Sequence, residues 1–290
     1  MRLCFDATRF GCGLDGAVEL AAERGLTAVE YSFQPFDVTQ KAPSLDQTEK
    51  AYLAEVKKSC RDTGVEISCL NLDYAVDPED KKAVKKFLQM VAKLALVAQA
   101  AGCHRISVSV NVGANGSWRE SVSELLGEAQ KIAAKKNLRL TLRLSTPQEF
   151  RGQSLKGWRA MEPQDWRDIL SSCPDLSLSF SPADCVWLGI DYLKILSGLV
   201  SAIDHVEAHD IEINRTLLND SGMYGPLWWR YRMPGKGQVD WSQLLELLKL
   251  YDFSGTVSIH LDDEFIGEEA EDLSDALTRS VKVLAPLVKD

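Results

Sequence analysis

The 290-residue chain lacks the features that mark several common classes of protein. Its seven cysteines are an odd number and show neither a CxxC pair nor zinc-finger spacing, which argues against a disulfide framework. No run approaches the roughly 18 apolar residues of a membrane span. The start, MRLCFDATRFGCG, lacks the basic and then apolar layout of a signal peptide. We therefore expect a reduced, cytoplasmic protein with no membrane partner.

Basic residues are also scarce. Lys and Arg number 33 against 42 Asp and Glu, a formal net charge of -9, whereas nucleic-acid binding needs a basic face. Gly11, Gly13 and Gly16 do not form a dinucleotide-binding fingerprint. The composition, 45% hydrophobic and 26% charged, is typical of a globular protein with a sizeable core. We expect neither a nucleic-acid partner nor a cofactor.

The chain contains an alternation of short β-like runs and longer helical patterns. Eight strands are predicted, at Arg2–Asp6, Ala28–Ser32, Val65–Leu70, Arg105–Val110, Leu138–Leu144, Leu176–Phe180, Ala202–Ala208 and Thr256–Leu261. Eight helices are predicted, at Leu14–Arg24, Asp46–Arg61, Glu79–Ala101, Trp118–Lys135, Gln164–Ser172, Asp191–Leu199, Trp241–Tyr251 and Leu273–Val288. Eight βα units without a Gly-, Ser- or Pro-rich linker indicate one (β/α)8 TIM barrel, a single domain over residues 1–290.

Several of these strands alternate between large apolar residues and small or polar ones. In LTLRLS (residues 140–145), Thr141, Arg143 and Ser145 share one face, as the period of two requires. If the apolar face packs on the outer helices, the lumen is polar, and active sites of such barrels lie at the carboxyl ends of the strands. The side chains expected to converge there are those of Glu30, Arg143, Ser181, Asp184, Glu207, His209 and His260.

The segment WWRYRMPGKGQVDW (residues 228–241) is predicted to be a long functional loop. Exposed rings and guanidinium groups, expected here from Trp228, Trp229, Arg230 and Arg232, suit a polyhydroxylated or anionic small molecule. The alternative is that Trp228 and Trp229 cap a core or a subunit contact of a homo-oligomer, because aromatic and Arg residues are also enriched at interfaces.

Four segments resemble a known family. SPADCVWLGIDYL, HDIEINRTLLNDSGMYG, WWRYRMPGKGQVDW and GTVSIHLDDE are similar to the sugar phosphate isomerase/epimerase proteins of the xylose isomerase-like TIM barrel superfamily, most densely over residues 176–264. The resemblance implies a small-molecule carbohydrate ligand. Relatives also tend to carry Glu at the position of Glu30, and a short acidic motif where Asp210 and Glu212 stand, which we expect to orient the aromatic segment.

The resemblance also implies a divalent metal, but the ligand positions differ. Relatives hold the ion with Glu, Asp, His and Glu, and these positions fall on Arg143, Ser181, Glu207 and His260. A guanidinium cannot ligate a cation and repels one. We therefore expect no metal. The alternative is a relocated ion held by Asp184, Glu207, His209 and His260.

Two functions remain open. The first is an isomerase or epimerase that acts on a small sugar or sugar derivative without the metal, with Glu207 and His260 moving protons and Arg143 stabilising the oxyanion. Asp184 and His209 are further catalytic candidates, and Glu30, Ser181, Asp210, Glu212 and the aromatic segment are candidates for substrate binding. The second is a catalytically inactive relative that binds a carbohydrate or a partner protein, with Arg143 and Glu207 as an internal ion pair. His104 and His205 are predicted to be surface and barrel-packing residues.

Overall fold

The computed structural model describes residues 1–36, 43–110, 118–144, 162–223 and 225–289. These residues form ten strands: β1 (Arg2–Phe5), β2 (Ala28–Phe33), β3 (Glu66–Val76), β4 (Arg105–Val110), β5 (Arg139–Arg143), β6 (Ser177–Phe180), β7 (Ile203–Ala208), β8 (Asp210–Ile213), β9 (Trp229–Arg232) and β10 (Thr256–Ile259). They also form ten α-helices: α1 (Leu14–Glu23), α2 (Gln47–Thr63), α3 (Lys81–Ala101), α4 (Trp118–Ala134), α5 (Pro163–Ser172), α6 (Pro182–Trp187), α7 (Tyr192–Leu199), α8 (Arg215–Ser221), α9 (Trp241–Leu250) and α10 (Ala270–Val288).

Eight of the strands form one parallel sheet in the order β1, β10, β7, β6, β5, β4, β3, β2. The remaining edges meet through a parallel bridge between Asp6 and Glu30, where the amide of Ala7 donates to the carbonyl of Glu30 at 3.0 Å. The sheet is thus a nearly closed barrel flanked by helices, as predicted. All eight barrel strands lie at the predicted places to within a few residues, except that β3 continues to Val76. The expectation of a single domain stays a prediction.

Local sequence signals explain where the helices begin and end. Asp46 and Glu49 form a reciprocal capping box at the start of α2. Asp80 caps α3 with its side chain, accepting from two amides of the first turn. Gly64 and Gly102 end these two helices with φ values of 74° and 84°, a region that side chains with a Cβ rarely adopt.

The alternation along the strands separates two layers. On the outer face, Val108, Leu142 and Ile259 are fully buried beneath the helices. On the inner face the chain places small polar residues, which are equally buried: Ser107, Thr141, Ser177, Ser179, Thr256 and Ser258. Parallel strands covered by helices bury both faces, so a polar inner face needs internal partners. Ser107 donates to Asn71, and Ser179 donates to Glu207. Thr141 and Ser177 bond to each other.

Four described elements were missing from the sequence-based prediction. Helices α6 and α8 are short, with six and seven residues, and too brief for a helical period to show. β8 and β9 form an antiparallel hairpin that pairs Asp210 with Arg232 and Ile213 with Trp229. The expectation that residues 228–241 form a loop was therefore wrong for Trp229–Arg232, which form strand β9. No helix of the described chain is both long and apolar enough to cross a bilayer.

Candidate active site

Acidic and basic side chains gather inside the barrel toward the carboxyl ends of β2, β5, β7 and β10. Glu30 and Glu207 are each 1% exposed, and His209 and His260 are each 3% exposed. Buried charges need partners, since an isolated charge in a protein interior costs many kcal/mol. The pairing among these groups therefore determines which of them can do chemistry.

Arg143 and Glu207 form a bidentate ion pair across the lumen. Arg143 donates from Nε to Glu207 Oε1 at 3.1 Å and from Nη2 to Oε2 at 3.3 Å, and the hydroxyl of Ser179 also donates to Oε1 at 2.7 Å. Burial raises the pKa of the Glu207 carboxyl, but Arg143 first and then His260 outweigh it and lower that pKa to about 2. Glu207 is thus a fixed carboxylate at neutral pH.

Glu30 accepts hydrogen bonds from two histidines with one oxygen. Its Oε2 lies 2.8 Å from His205 Nε2 and 3.1 Å from His260 Nε2, while Asn71 donates to Oε1. Burial disfavours the charged forms, but the charge of Glu30 outweighs it and raises the pKa of His260 to about 10. In return, the two histidines hold the pKa of Glu30 well below its usual range. His260 is therefore an imidazolium at neutral pH.

His205, predicted to be a barrel-packing residue, lies inside the barrel with 1% exposure and contacts Glu30, a polar contact that was not predicted from the sequence. The available signal was spacing, since His205 stands two residues before Glu207 on the same face of β7. Asn71 was also missed, because β3 extends beyond the predicted end at Leu70 and carries Asn71 into the lumen.

A second polar cluster surrounds the start of α6. Ser181 caps this helix by accepting from the amide of Asp184 at 3.1 Å, and its Oγ lies 3.2 Å from His209 Nε2. Tyr231 donates its hydroxyl proton to Asp184 Oδ1 and places its ring against the ring of His209, with 4.4 Å between centroids. A serine side chain is among the preferred helix caps, so Ser181 stabilises the start of α6.

Asp262 lies above the two histidines at the mouth of the barrel. Its Oδ2 is 3.8 Å from His209 Nδ1 and 3.9 Å from His260 Nδ1, and its side chain is 36% exposed. Asp262 was not among the site residues predicted from the sequence. Its signal was again the period of two, because Asp262 follows His260 by two residues.

The tryptophans of residues 228–241 are buried, contrary to the expectation of exposed rings. Trp228 and Trp229 are 5% and 2% exposed and pack on Trp187, with centroids 6.2 and 5.8 Å away. They form an aromatic wall between α6 and the hairpin. Their assignment to substrate binding stays a prediction.

The two arginines of the hairpin lie at the rim of the mouth. Arg230 and Arg232 both contact Glu212, and Arg232 Nε donates to Asp263 Oδ2 at 3.0 Å. Both guanidinium groups also lie about 5 Å from the ring of Phe265, a residue that is 65% exposed. The rim therefore combines an exposed ring with charges that are already paired.

Asp210 organises the segment that follows the hairpin. Its Oδ1 accepts from the amides of Ile211 and Val239 at 2.9 Å, and its Oδ2 accepts from the amide of Gly235 at 3.1 Å and from Trp241 Nε1 at 3.3 Å. Because Asp210 is fully buried and both oxygens are engaged, its geometry fits the expected orienting role better than contact with a ligand.

The residues at the positions of the family's metal ligands do not fit a divalent ion. The guanidinium of Arg143 occupies one position and is bonded to Glu207 at another, and Ser181 serves as a helix cap. Two groups of three residues each bring their potential ligand atoms within 4.8 Å of one another. The first is Glu30, His205 and His260, and the second is Glu207, His209 and His260. In the second group Glu207 accepts from the guanidinium of Arg143 at both oxygens, which disfavours a cation there. In the first group the bonds to Glu30 Oε2 come from the two histidines of the group, and Oε1 accepts from Asn71. The alternative ion site of Asp184, Glu207, His209 and His260 is also disfavoured, because Asp184 already accepts a hydrogen bond from Tyr231.

Comparison with known proteins identifies the family. Residues 18–282 match the family model described as xylose isomerase-like TIM barrel. Over 107 residues the chain is 28% identical to the uncharacterized protein YfiH of Bacillus subtilis, a match that spans 33% of this chain and 34% of that protein.

Two solved structures share the fold over nearly the whole chain. The IolI protein with a bound zinc atom has a TM-score of 0.72 and 17% identity, and the match covers 99% of both chains. The 3-keto-D-glucoside 4-epimerase YcjR of E. coli has a TM-score of 0.68 and 14% identity, covering 97% of this chain and 99% of that one. At such identities the likeness shows the fold alone. The eight-stranded barrel and the match over most of its length show that this chain belongs to the xylose isomerase-like TIM barrel family.

Proposed function

We propose that the protein is an isomerase or epimerase that moves a proton on a small carbohydrate or sugar derivative bound at the carboxyl-terminal mouth of the barrel, without a divalent metal. The similarity to YcjR, which is a 3-keto-D-glucoside 4-epimerase, supports a carbohydrate with a carbonyl group. Proton removal beside a carbonyl produces an enediolate, so the site must stabilise a negative oxygen.

The observation that carries this proposal is the arrangement of cations inside the lumen. Arg143 is bonded to Glu207, and His260 is held as an imidazolium by Glu30. Two fixed positive groups in a site shielded from water can take the role that a metal ion has in stabilising an oxyanion. An apolar or uncharged lumen would not support this chemistry.

Glu207 is better suited to hold Arg143 than to move a proton. With a pKa near 2 it is a weak base, and both of its oxygens are engaged. A substrate oxyanion competes for the guanidinium, and partial release of Glu207 would raise its pKa. We therefore assign Arg143 and His260 to the substrate oxygen and Glu207 to orienting Arg143.

The second candidate is a catalytically inactive relative that binds a carbohydrate or a protein. It is favoured by the complete pairing of the Glu30 and Glu207 carboxylates, which resembles a stable internal network. The two proposals differ in one measurable property, because only the first predicts exchange of a carbon-bound proton.

The test is proton exchange in D2O, followed by NMR, with a panel of pentoses, hexoses, their phosphates and uronic acids. We expect the wild type to exchange the proton beside the carbonyl of at least one compound. Arg143→Lys keeps the charge but loses the planar fork, and should weaken turnover of that compound by about 10-fold or more. Arg139→Lys is the matched control, because Arg139 is 61% exposed and pairs with Asp204. No exchange with any compound would contradict the enzymatic proposal.

A further inference from the structure

The carboxylates of the mouth differ in how much of their bonding capacity is already used. Six of them, unlike Asp262, accept hydrogen bonds from described residues. The pairs are Asp6 with Thr8 and Ser32, Glu30 with Asn71 and two histidines, Asp184 with Tyr231, Glu207 with Arg143 and Ser179, Glu212 with Arg230 and Arg232, and Asp263 with Arg232, Met233 and Phe265. Such hydrogen bonds stabilise the charged form and weaken a carboxylate as a base, although at Asp6 burial, and then the charge of Glu30, outweigh them and raise its pKa.

Asp262 differs from all of them. Its described ion pairs, with His209 and His260, span 3.8 and 3.9 Å, which exceeds the length of a hydrogen bond. Nδ1 of His209 is buried without a hydrogen-bond partner among the described residues. A polar contact at such a distance leaves a gap that suits a water molecule or a substrate oxygen. The side chain of Asp262 is also 36% exposed, against 3% for each histidine, so it faces the mouth.

The neighbouring residue fixes this position. Asp263 accepts from Arg232 Nε at 3.0 Å, from the amide of Met233 at 3.1 Å and, through its other oxygen, from the amide of Phe265 at 2.9 Å. These bonds tie the chain after β10 to the hairpin strand β9. Asp262 therefore projects from an anchored segment, as a general base requires for defined geometry.

From this geometry we infer that Asp262 is the general base that touches the substrate, an inference that rests on the proposed proton-transfer function. The Asp262 carboxylate takes the proton from the carbon beside the substrate carbonyl. The electrons of the broken C–H bond form the enediolate double bond, and the carbonyl electron pair moves to oxygen, which Arg143 and His260 stabilise. The hydroxyl proton on the carbon that lost its hydrogen passes to the negatively charged oxygen, and Asp262 returns its own proton to the former carbonyl carbon, which completes an isomerisation.

His209 is a positioning residue in this scheme, and His260 lies next to Asp262 in addition to stabilising the substrate oxygen. The Nδ1 atoms of both histidines face Asp262. Nε2 of His209 contacts Ser181, and Nε2 of His260 contacts Glu30. The link to Glu30 keeps the His260 imidazolium beside this carboxylate protonated at neutral pH. The base is thus supported by a buried polar network behind it.

The test uses Asp262→Asn, which preserves shape and removes the base, in the same D2O exchange experiment with the panel of sugars. We expect exchange to fall at least 100-fold, whereas the concentration of sugar that half-saturates a thermal shift changes less than about threefold. Asp262→Glu should recover part of the rate. Asp73→Asn is the matched control, since Asp73 is an exposed carboxylate on β3 that contacts Gln34 at 2.8 Å and has no histidine beside it in the described contacts.

The outcomes separate this inference from the function on which it rests. Exchange by the wild type together with unchanged exchange by Asp262→Asn would overturn the role of Asp262 and leave the enzymatic proposal standing. Loss of exchange in Asp73→Asn equal to that in Asp262→Asn would also overturn it, because the effect would then not be specific. No exchange by the wild type with any sugar would overturn both.

Discussion

At both ends of the barrel an arginine forms an ion pair with a carboxylate of β7, but the two pairs differ in their exposure and in their hydrogen bonds. At the amino-terminal end, Asp204 Oδ2 lies 3.2 Å from Arg105 Nε and 3.4 Å from Arg139 Nη1, beside a cavity of about 790 Å³ that opens on the surface. At the carboxyl-terminal end, Glu207 is only 2% exposed in its side chain and receives both donors of one arginine.

The neighbours of the two pairs account for the difference. Asp204 has two arginines and the hydroxyl of Thr141 near it. Glu207 instead adjoins the histidines of β7 and β10, which connect it to Glu30 and Asp262. Groups with opposed pKa shifts lie together only at the carboxyl-terminal end, among the described residues, and such clustering is typical of functional sites. The same kind of ion pair is therefore structural at one end and part of a titratable network at the other.

The largest expected effect comes from breaking the buried pair. Arg143→Leu leaves Glu207 charged without its main partner, and should lower the free energy of unfolding by about 3 to 5 kcal/mol. Arg139→Leu removes a half-exposed partner from Asp204, which still has Arg105, and should cost under about 1 kcal/mol. Urea denaturation of both variants measures the difference. Equal midpoints would show that the two ends are energetically alike.

An intermediate effect should appear in the pH dependence of stability. The folded pKa of His260 is raised to about 10, so its contribution is complete below its unfolded pKa of about 6.5 and is lost as pH rises toward 10. The folded pKa of Glu207 is lowered to about 2, so its contribution is present above about 4.3 and is lost as pH falls toward 2.

Stability should therefore be greatest between about pH 5 and 6.5, as far as these two groups determine it. Between pH 6.5 and 9, urea denaturation of the wild type should show a loss of about 2 to 3 kcal/mol. His260→Gln should be less stable at pH 6.5 and should lose much less on going to pH 9. A parallel loss in the variant would assign the effect to another group.

The smallest effect is expected at the amino-terminal rim. Arg2 and Glu66 form an ion pair with side chains 42% and 66% exposed, so solvent and salt screen it. Arg2→Gln should change the melting temperature by no more than about 2 °C, and 0.5 M NaCl should remove that change. A larger shift that persists in salt would mean that this end is also tightly coupled.

Much of the barrel could be predicted because its signals are local. Short stretches of sequence contain these signals: the strand alternation around Thr141 and Arg143, the caps at Asp46 and Asp80, and the helical periods. The same period of two placed Arg143, Glu207 and His260 toward the lumen. The hairpin of β8 and β9 escaped prediction because its pairing joins residues about 20 apart, which no local period reveals.

Only the tertiary structure decided the partners within the site. His205 and Glu30 are 175 residues apart in sequence, and Arg143 and Glu207 are 64 apart, so their contacts depend on the closure of the sheet. The sequence alone determined the barrel and the family resemblance. The packing determined that Trp228 and Trp229 are buried and that Asp262 faces the mouth, because burial and pKa depend on neighbours that folding brings together.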